Sequence, residues 1–260
     1  MLADPADASQ AISARLNAAM EAERDLTSKV RVLIEAVPGR IVFSTSLGME
    51  DQAVLHGIAM ADPARRIDVV TLDTGRHFPE TLALLDASES RFGRRIALVA
   101  PERGDVETLV QRDGVFGFRH SIEARKACCH VRKVAPLRRV LQGAAAWITG
   151  LRREQSAGRA DVPFVAWDDE HHVLKVNPIA DWSLDVLEGY VTVNGIPVNP
   201  LHAQGYPSIG CQPCTRAVRP GEDIRAGRWW WEQQDGKECG LHNSPQRKAA
   251  RDDVREETSV

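Results

Sequence analysis

The chain has 260 residues, of which 43% are hydrophobic and 27% are charged, and its net charge is −3. This composition is typical of a globular protein, and the small negative charge argues against nucleic acid as a partner. No apolar run reaches the length that a bilayer requires, and the N-terminus lacks the order of a signal peptide. We therefore expect a cytoplasmic protein with no membrane partner.

Helical and strand-like segments alternate along the first 150 residues. A polar-faced helical pattern covers residues 8–36, and further helical runs begin at residues 52 and 79. Short β-rich runs predict strands at residues 40–44, 67–72, 95–99 and 145–149. This alternation predicts an α/β fold with a doubly wound, mainly parallel sheet.

The rest of the chain has a different character. Residues 160–215 are rich in proline and predict a loop-rich C-terminal segment that wraps the open side of the sheet. Residues 243–260 are strongly charged and predict a mobile tail.

Polar residues follow three of the predicted strands, at 44–51, 72–76 and 149–153. Ligands bind outside the carboxyl ends of the strands in such sheets, so these three turns predict a binding site. The first turn is also suited to hold an anion on backbone N–H groups at a helix N-terminus. It matches neither the Walker pattern nor G-x-G-x-x-G, so alone it is a weak indication.

Four of the five cysteines fall in two pairs, Cys128 with Cys129 and Cys211 with Cys214. In a reducing compartment such thiols indicate metal binding or redox chemistry rather than disulfides. The C-x-x-C spacing lets two thiolates reach one metal centre, and four soft ligands suit zinc or an iron–sulfur cluster. The spacing leaves both open, and the alternative is that these cysteines are small buried hydrophobes.

The fifth cysteine, Cys239, stands alone between Gly236 and Gly240, with Lys237 and His242 nearby in sequence. A thiol beside cationic groups in a flexible segment can be a partly ionised nucleophile. The alternative is an exposed thiol with no role.

Cations surround the first cysteine pair, because residues 125–133 contain four Lys or Arg side chains. Such charges can offset a negative cluster or bind a phosphate or sulfate. Two further groups favour a shared anion site over an ordinary solvated helix face: Arg152 with Arg153, and Arg225 with Arg228. We interpret the tryptophan run at 229–231 as packing, with an aromatic lid over the site as the alternative.

These motifs together resemble the sulfonucleotide reductases of sulfate assimilation, in particular the iron–sulfur type that acts on adenosine 5′-phosphosulfate. The resemblance covers about residues 41–242. It rests on residues 44–51 (STSLGMED), 72–76 (LDTGR), 128–133 (CCHVRK), 148–156 (ITGLRREQS), 211–214 (CQPC), 225–231 (RAGRWWW) and 238–242 (ECGLH). Departures are minor: Met49 stands where the family more often has alanine, and His77 follows the second turn.

The resemblance implies an adenine nucleotide α-hydrolase-like fold and a 4Fe–4S cluster on Cys128, Cys129, Cys211 and Cys214. It implies that Cys239 attacks the sulfur of adenosine 5′-phosphosulfate, and that thioredoxin then releases sulfite. Family members are often dimers or tetramers, so a homo-oligomer is an open expectation. The implied division of the chain is a helical segment at 1–36, a nucleotide-binding and cluster domain at 37–235, and a segment carrying the nucleophile at 236–260.

The implied substrate contacts form two groups, with His242 as a further contact. The strand ends would hold the adenosine, through Ser44, Ser46, Leu47, Gly48, Asp51, Leu72, Asp73, Thr74, Gly75, Arg76 and Gly150. The phosphosulfate would be held by Lys133, Arg152, Arg225 and Arg228.

Two alternatives remain. The first is a reductase of the 3′-phosphorylated nucleotide, or one that accepts both substrates; relatives restricted to that substrate lack the two cysteine pairs. The second is a zinc-binding regulatory or nucleic-acid module, against which the net charge and the nucleotide-site turns argue.

Overall fold

The computed structural model describes residues 5–232 and 241, and six strands of this part form one sheet. The strands are β1 (Ile41–Thr45), β2 (Ile67–Leu72), β3 (Ala97–Val99), β4 (Ala146–Ile148), β5 (Val165–Asp168) and β6 (Val173–Val176). Their order in the sheet is β3-β2-β1-β4-β6-β5. All neighbours are parallel except β5 and β6, which form an antiparallel pair at one edge. The predicted mainly parallel α/β sheet is therefore confirmed.

Eight α-helices lie in the described part of the chain. They are α1 (Pro5–Ala22), α2 (Leu26–Ala36), α3 (Met49–Ala61), α4 (Pro79–Phe92), α5 (Arg103–Asp113), α6 (Ile122–Cys129), α7 (Ala135–Leu141) and α8 (Leu184–Val193). A π-helical turn, His130–Val134, joins α6 to α7. None of these helices is long and apolar enough to cross a membrane.

Both faces of the sheet are buried under helices. Alternate residues of each strand point to opposite faces, so each strand contributes to two cores. On one face Ile41 and Phe43 of β1 belong to the main core, which also takes in α1, α2, α3 and α4. On the other face Val42 packs in a smaller core with Leu137 and Leu141 of α7. Helices on both faces explain why the strands read as short, nearly continuous apolar runs.

The helical pattern at 8–36 forms two helices rather than one. The first ends at Ala22, and Asp25 caps the second, since its carboxylate accepts the Ser28 N–H at 2.9 Å. An aspartate in this position satisfies an N–H that the new helix leaves without an intrahelical acceptor. Both helices contribute buried side chains to the main core, among them Leu16, Met20 and Leu33.

The proline-rich segment contains more regular structure than its composition predicts. Residues 160–215 include β5, β6 and α8, so part of this segment extends the sheet. Pro163 comes just before β5 and Pro178 just after β6, where a missing N–H interrupts no strand pairing. The prolines therefore mark the ends of the strands, and short helical turns follow α8.

Candidate functional site

Three turns that follow β1, β2 and β4 meet along the carboxyl ends of these strands, the side of the sheet called the sheet edge below. These strands are neighbours and run in parallel, with Ile41 beside Ile67 and beside Ala146. Their carboxyl ends therefore lie side by side, and the turns that the sequence predicts as a binding site come together.

Asp51 ties the first turn to the third. Its buried carboxylate accepts the Ser46 N–H at 2.6 Å, the Ser46 hydroxyl at 2.7 Å and the Gly150 N–H. Burial raises the pKa of Asp51 to about 6, although these three donors favour the ionised form. A side chain at position 150 would collide with this carboxylate, which explains why glycine is required there.

Three N–H groups of the first turn already have acceptors within the turn. The Ser46 N–H is donated to Asp51, the Leu47 N–H to the Thr45 hydroxyl at 2.9 Å, and the Gly48 N–H to the Ser46 hydroxyl at 3.3 Å. Because side chains of the turn itself accept these three N–H groups, an anion would have to bind to the N–H groups of the helix that begins at Met49, and the anion site at this turn stays a prediction.

The second turn connects the sheet edge to the cysteines. Asp73 accepts the Gly75 N–H at 2.8 Å, and Gly75 has a φ of 66°, which favours glycine. The carbonyl of buried Thr74 accepts from Arg132 at 2.7 Å, and its hydroxyl lies 3.4 Å from the sulfur of Cys211. The end of β2 is thereby attached to both cysteine-bearing segments.

The four paired cysteines line a single pocket. Cys128 and Cys129 end α6, while Cys211 and Cys214 lie in a short turn whose Gln212 N–H donates to the Arg76 carbonyl at 2.8 Å. The apolar wall of the pocket is formed by Phe118 and Trp229, and its cations are Arg76, Arg125, Arg132, Lys133 and Arg228. Residues about eighty positions apart in sequence thus meet beside the sheet edge.

The pocket shifts the pKa values of the thiols in different directions. Burial, together with the neighbouring Cys211 and Cys129, raises the pKa of Cys214 to about 12. Burial also raises the pKa of Cys128. For Cys211, burial opposes ionisation, but Lys133 and the Thr74 hydroxyl outweigh it and lower the pKa. Four thiolates would repel one another here, so a positively charged metal core would favour their ionisation.

The pocket offers four thiols and one unsatisfied N–H donor to a metal group. Within residues 5–232 and 241, no three His, Cys, Asp or Glu side chains are placed to hold one ion. A tetrahedral zinc site would bring its sulfurs to about 3.8 Å from one another. The buried Nε of Arg132, which lines this pocket, has no hydrogen-bond partner among the described residues. Thiols spread around a pocket beside such a donor fit a larger group that carries its own acceptors.

Not every predicted anion-binding residue lies at this pocket. The side chain of Arg152 is 4% exposed and donates to Glu50 at 3.0 Å and to the Trp182 carbonyl at 3.2 Å. Gln155 donates to the same Glu50 oxygen at 3.0 Å. Arg152 therefore joins the first and third turns. Sequence reasoning missed Glu50, although an acidic residue in the first turn of a helix is favoured there.

Of the other predicted cations, Arg228 lines the pocket and Arg225 does not. Arg228 is buried and donates to the Ser208 hydroxyl and to the Ile209 carbonyl. Trp229 is 2% exposed and forms part of the pocket wall, as the packing interpretation predicts, whereas Trp230 is 47% exposed.

The predicted nucleophile Cys239 and the predicted contact His242 lie outside the described residues. Leu241, between them in sequence, is described and packs against the smaller core together with Leu72 and Val99.

Comparison with known proteins agrees with this geometry. Residues 40–217 match the phosphoadenosine phosphosulfate reductase domain. The chain is 53% identical to an adenosine 5′-phosphosulfate reductase of Agrobacterium fabrum over 80% of both chains. It is 51% identical to a protein of the same name from Allochromatium vinosum over 78% of both. Among solved structures, phosphoadenylyl-sulfate reductase of Candida auris has a TM-score of 0.65 at 22% identity, over 78% of this chain and 96% of that one, and supports the fold.

Proposed function

Because the chain belongs to the phosphoadenosine phosphosulfate reductase domain family, we propose that it reduces adenosine 5′-phosphosulfate to sulfite and AMP in sulfate assimilation. The observation that carries the proposal is the meeting of four cysteines and five cations beside the nucleotide-type turns of the sheet edge. Relatives that are about half identical over most of the chain and bear the name of that activity support it.

Cys128, Cys129, Cys211 and Cys214 would hold a 4Fe–4S cluster. Two observations support this: the donor set is all sulfur, and the unsatisfied Nε of Arg132 lies beside it. When bound, the cluster would supply a fixed charge that orders the surrounding cations. Lys133 and Arg132 would respond to that charge, since both line the pocket with the cysteines.

The substrate would lie along the sheet edge, between the three turns and the cysteine pocket. Ser44, Ser46, Asp51 and the glycines at 48, 75 and 150 would shape the adenosine side. Lys133 and Arg228 would hold the phosphosulfate, because both lie at the pocket and carry positive charge. Arg152 and Arg225 would contact the phosphosulfate only after they exchange their present partners. Arg152 is paired with Glu50 here.

In the chemical step, the Cys239 thiolate would attack the sulfur of the substrate. The bond between sulfur and the phosphate oxygen breaks, AMP leaves with the electron pair, and Cys239 carries an S-sulfonate. Nearby cations lower the energy of the charge that develops on the phosphate. A thioredoxin thiol then attacks the Cys239 sulfur and releases sulfite, and its second thiol resolves the mixed disulfide.

These thiol steps need a reducing compartment, so we also propose that the protein works in the cytoplasm. In this scheme residues 1–36 support the sheet, residues 37–235 bind the nucleotide and the cluster, and residues 236–260 bring the nucleophile.

An anaerobic assay of the purified brown protein with reduced thioredoxin tests the proposal. Sulfite should form from adenosine 5′-phosphosulfate with much higher kcat/KM than from the 3′-phosphorylated nucleotide. Equal values would place the chain in the dual-specificity alternative. A colourless protein that contains zinc and forms no sulfite would support the regulatory alternative.

A further inference from the structure

Trp147, in the middle of β4, donates a hydrogen bond to Ser44 of β1. The tryptophan is fully buried, and it packs in the smaller core with Leu137 and Leu141 of α7. In the sheet it lies beside Val42, and its indole reaches Ser44, two positions further along β1. The indole Nε1 is 2.7 Å from the serine hydroxyl oxygen. A buried indole N–H needs an acceptor, and Ser44 supplies it.

This bond determines what the Ser44 hydroxyl can still do. An indole N–H only donates, so the serine oxygen accepts and its own proton is directed away from the indole. Ser44 is the one residue of β1 that is partly exposed. In the part of the chain that the structure describes, its hydroxyl donates no hydrogen bond. A partly exposed hydroxyl that accepts from the protein but does not donate to it is preset to donate to a ligand.

The indole is held from two further sides by the antiparallel pair β5 and β6. The Lys175 ammonium lies 4.8 Å from the centre of the Trp147 ring, an attractive position for a cation. The His171 ring meets the indole nearly edge-on, with the ring centres 5.4 Å apart. Asp168 fixes that histidine, because its carboxylate lies 3.0 Å from Nδ1 and accepts the His171 backbone N–H at 3.0 Å. The direction of the indole N–H is therefore set by the fold.

We infer that Trp147 is a positioning residue for the nucleotide, because it presets the Ser44 hydroxyl as a donor to an acceptor atom of the adenosine. The mechanism above does not use Trp147, which would act on the ligand only through Ser44. A nucleoside that presents a donor at this place would be disfavoured, since it would leave two donors facing each other without an acceptor. This inference rests on the proposed function for the identity of the ligand.

A double-mutant cycle tests the inference, with AMP as the probe and isothermal titration calorimetry as the measurement. Ser44→Ala removes the hydroxyl, while Trp147→Phe keeps an aromatic ring and removes the N–H. The matched control is Trp167→Phe, the same change in β5 at a side chain that packs against the main core. All proteins are titrated at equal iron content.

Ser44→Ala should bind AMP about tenfold more weakly than the parent chain, a change of about 1.4 kcal/mol. Trp147→Phe should weaken binding about fivefold, because the released hydroxyl can turn away from the ligand. The double variant should lose about tenfold in affinity, rather than the roughly fiftyfold that two independent losses would give. Trp167→Phe should match the parent chain.

Steady-state kinetics separate positioning from general damage to the core. Loss of a contact that is equally strong in the ground state and the transition state raises KM and leaves kcat unchanged. Trp147→Phe should therefore raise the KM for adenosine 5′-phosphosulfate about fivefold and keep its kcat. A purely structural role would lower the free energy of unfolding without a change in KM.

If Trp147→Phe does not fold, indole N–H signals in nuclear magnetic resonance spectra replace it. In protein labelled on its tryptophans, Ser44→Ala should shift one indole signal strongly, which identifies Trp147. The same signal should move when AMP binds to the parent chain, because the Ser44 hydroxyl connects the indole to the ligand.

Any of four results would overturn the inference: parent-like AMP affinity in Ser44→Ala, additive losses in the double variant, an equal loss in the control, or a Trp147 signal that does not respond to AMP. Failure of the proposed function would look different. The parent chain itself would then bind no AMP, or it would form no sulfite from adenosine 5′-phosphosulfate and thioredoxin.

Discussion

Replacing Gly150 by alanine should loosen the edge of the sheet where the three turns meet. The new methyl group would collide with the Asp51 carboxylate and lie 3.1 Å from the Glu50 Cβ and 3.2 Å from the Asp51 amide. Overpacking of this kind costs about 1–3 kcal/mol. Displacing the carboxylate also weakens its hydrogen bonds, at about 1.5–3 kcal/mol each. We expect a total near 3 kcal/mol, which corresponds to a fall in Tm of roughly 6–12 °C.

The matched control is Gly189→Ala, the same chemical change in α8 at a site where nothing lies within 4 Å of the added group. Alanine is preferred over glycine inside a helix, so this variant should gain up to about 1 kcal/mol. Thermal unfolding followed by circular dichroism, with equal iron content in all samples, measures both changes. The reasoning is refuted if Gly150→Ala unfolds within about 1 °C of the parent chain, since one methyl group would then be accommodated without moving Asp51.

Three further predictions address the metal, the nucleophile and the buried carboxyl. Cys214→Ser should lose iron, sulfide and sulfite formation; full iron and activity in this variant would show that Cys214 is not a ligand. Cys239→Ser should keep its colour and bind adenosine 5′-phosphosulfate but make no sulfite, whereas the parent chain without thioredoxin should trap one sulfonate on Cys239 in intact mass spectrometry. An adduct on another cysteine would contradict the mechanism. Asp51 has a folded pKa of about 6 against 3.8 in a model peptide, so its carboxyl disfavours folding above that pKa and this penalty disappears as pH falls. Relative to Asp51→Asn, the parent chain should gain roughly 2.4 kcal/mol of unfolding free energy from about pH 7 to about pH 4 in urea titrations; parallel pH profiles would argue against the raised pKa.

Local pattern was sufficient to predict the three turns and the cysteine pairs. Buried parallel strands are short apolar runs, and each ends in polar residues, so the positions of the turns follow from the chain itself. The ion-pair partners of the arginines cannot be predicted from local pattern. Arg152 meets Glu50 102 positions away, and Arg125 meets Glu232 107 positions away. Only the folded sheet brings such residues together.

Two other features could not be predicted from the sequence, for different physical reasons. The amides of the first turn look available for an anion in sequence, but the side chains of Thr45, Ser46 and Asp51 accept them. Short side chains next to a turn compete for its N–H groups, and sequence alone does not decide the competition. The strands β5 and β6 have four residues each, and such short runs next to prolines show no clear periodic pattern.

The π-helical turn between α6 and α7 determines where the chain tolerates a change of length between the cysteines and the sheet. Leu137 and Leu141 fix α7 to the sheet, while Cys128 and Cys129 on α6 face the pocket. Each residue of an α-helix turns the chain by about 100°. A π-helical turn closes its hydrogen bonds between residues i and i+5 and so takes in one residue more than an α-helical turn. Deleting one residue from His130–Val134 would therefore give a regular helix with both thiols on nearly the same side of the leucines, whereas deleting one residue from an α-helical part of the segment would rotate them by about 100°. The π-helical turn is thus the point at which this helical segment can lose one residue without turning the cysteines away from the pocket.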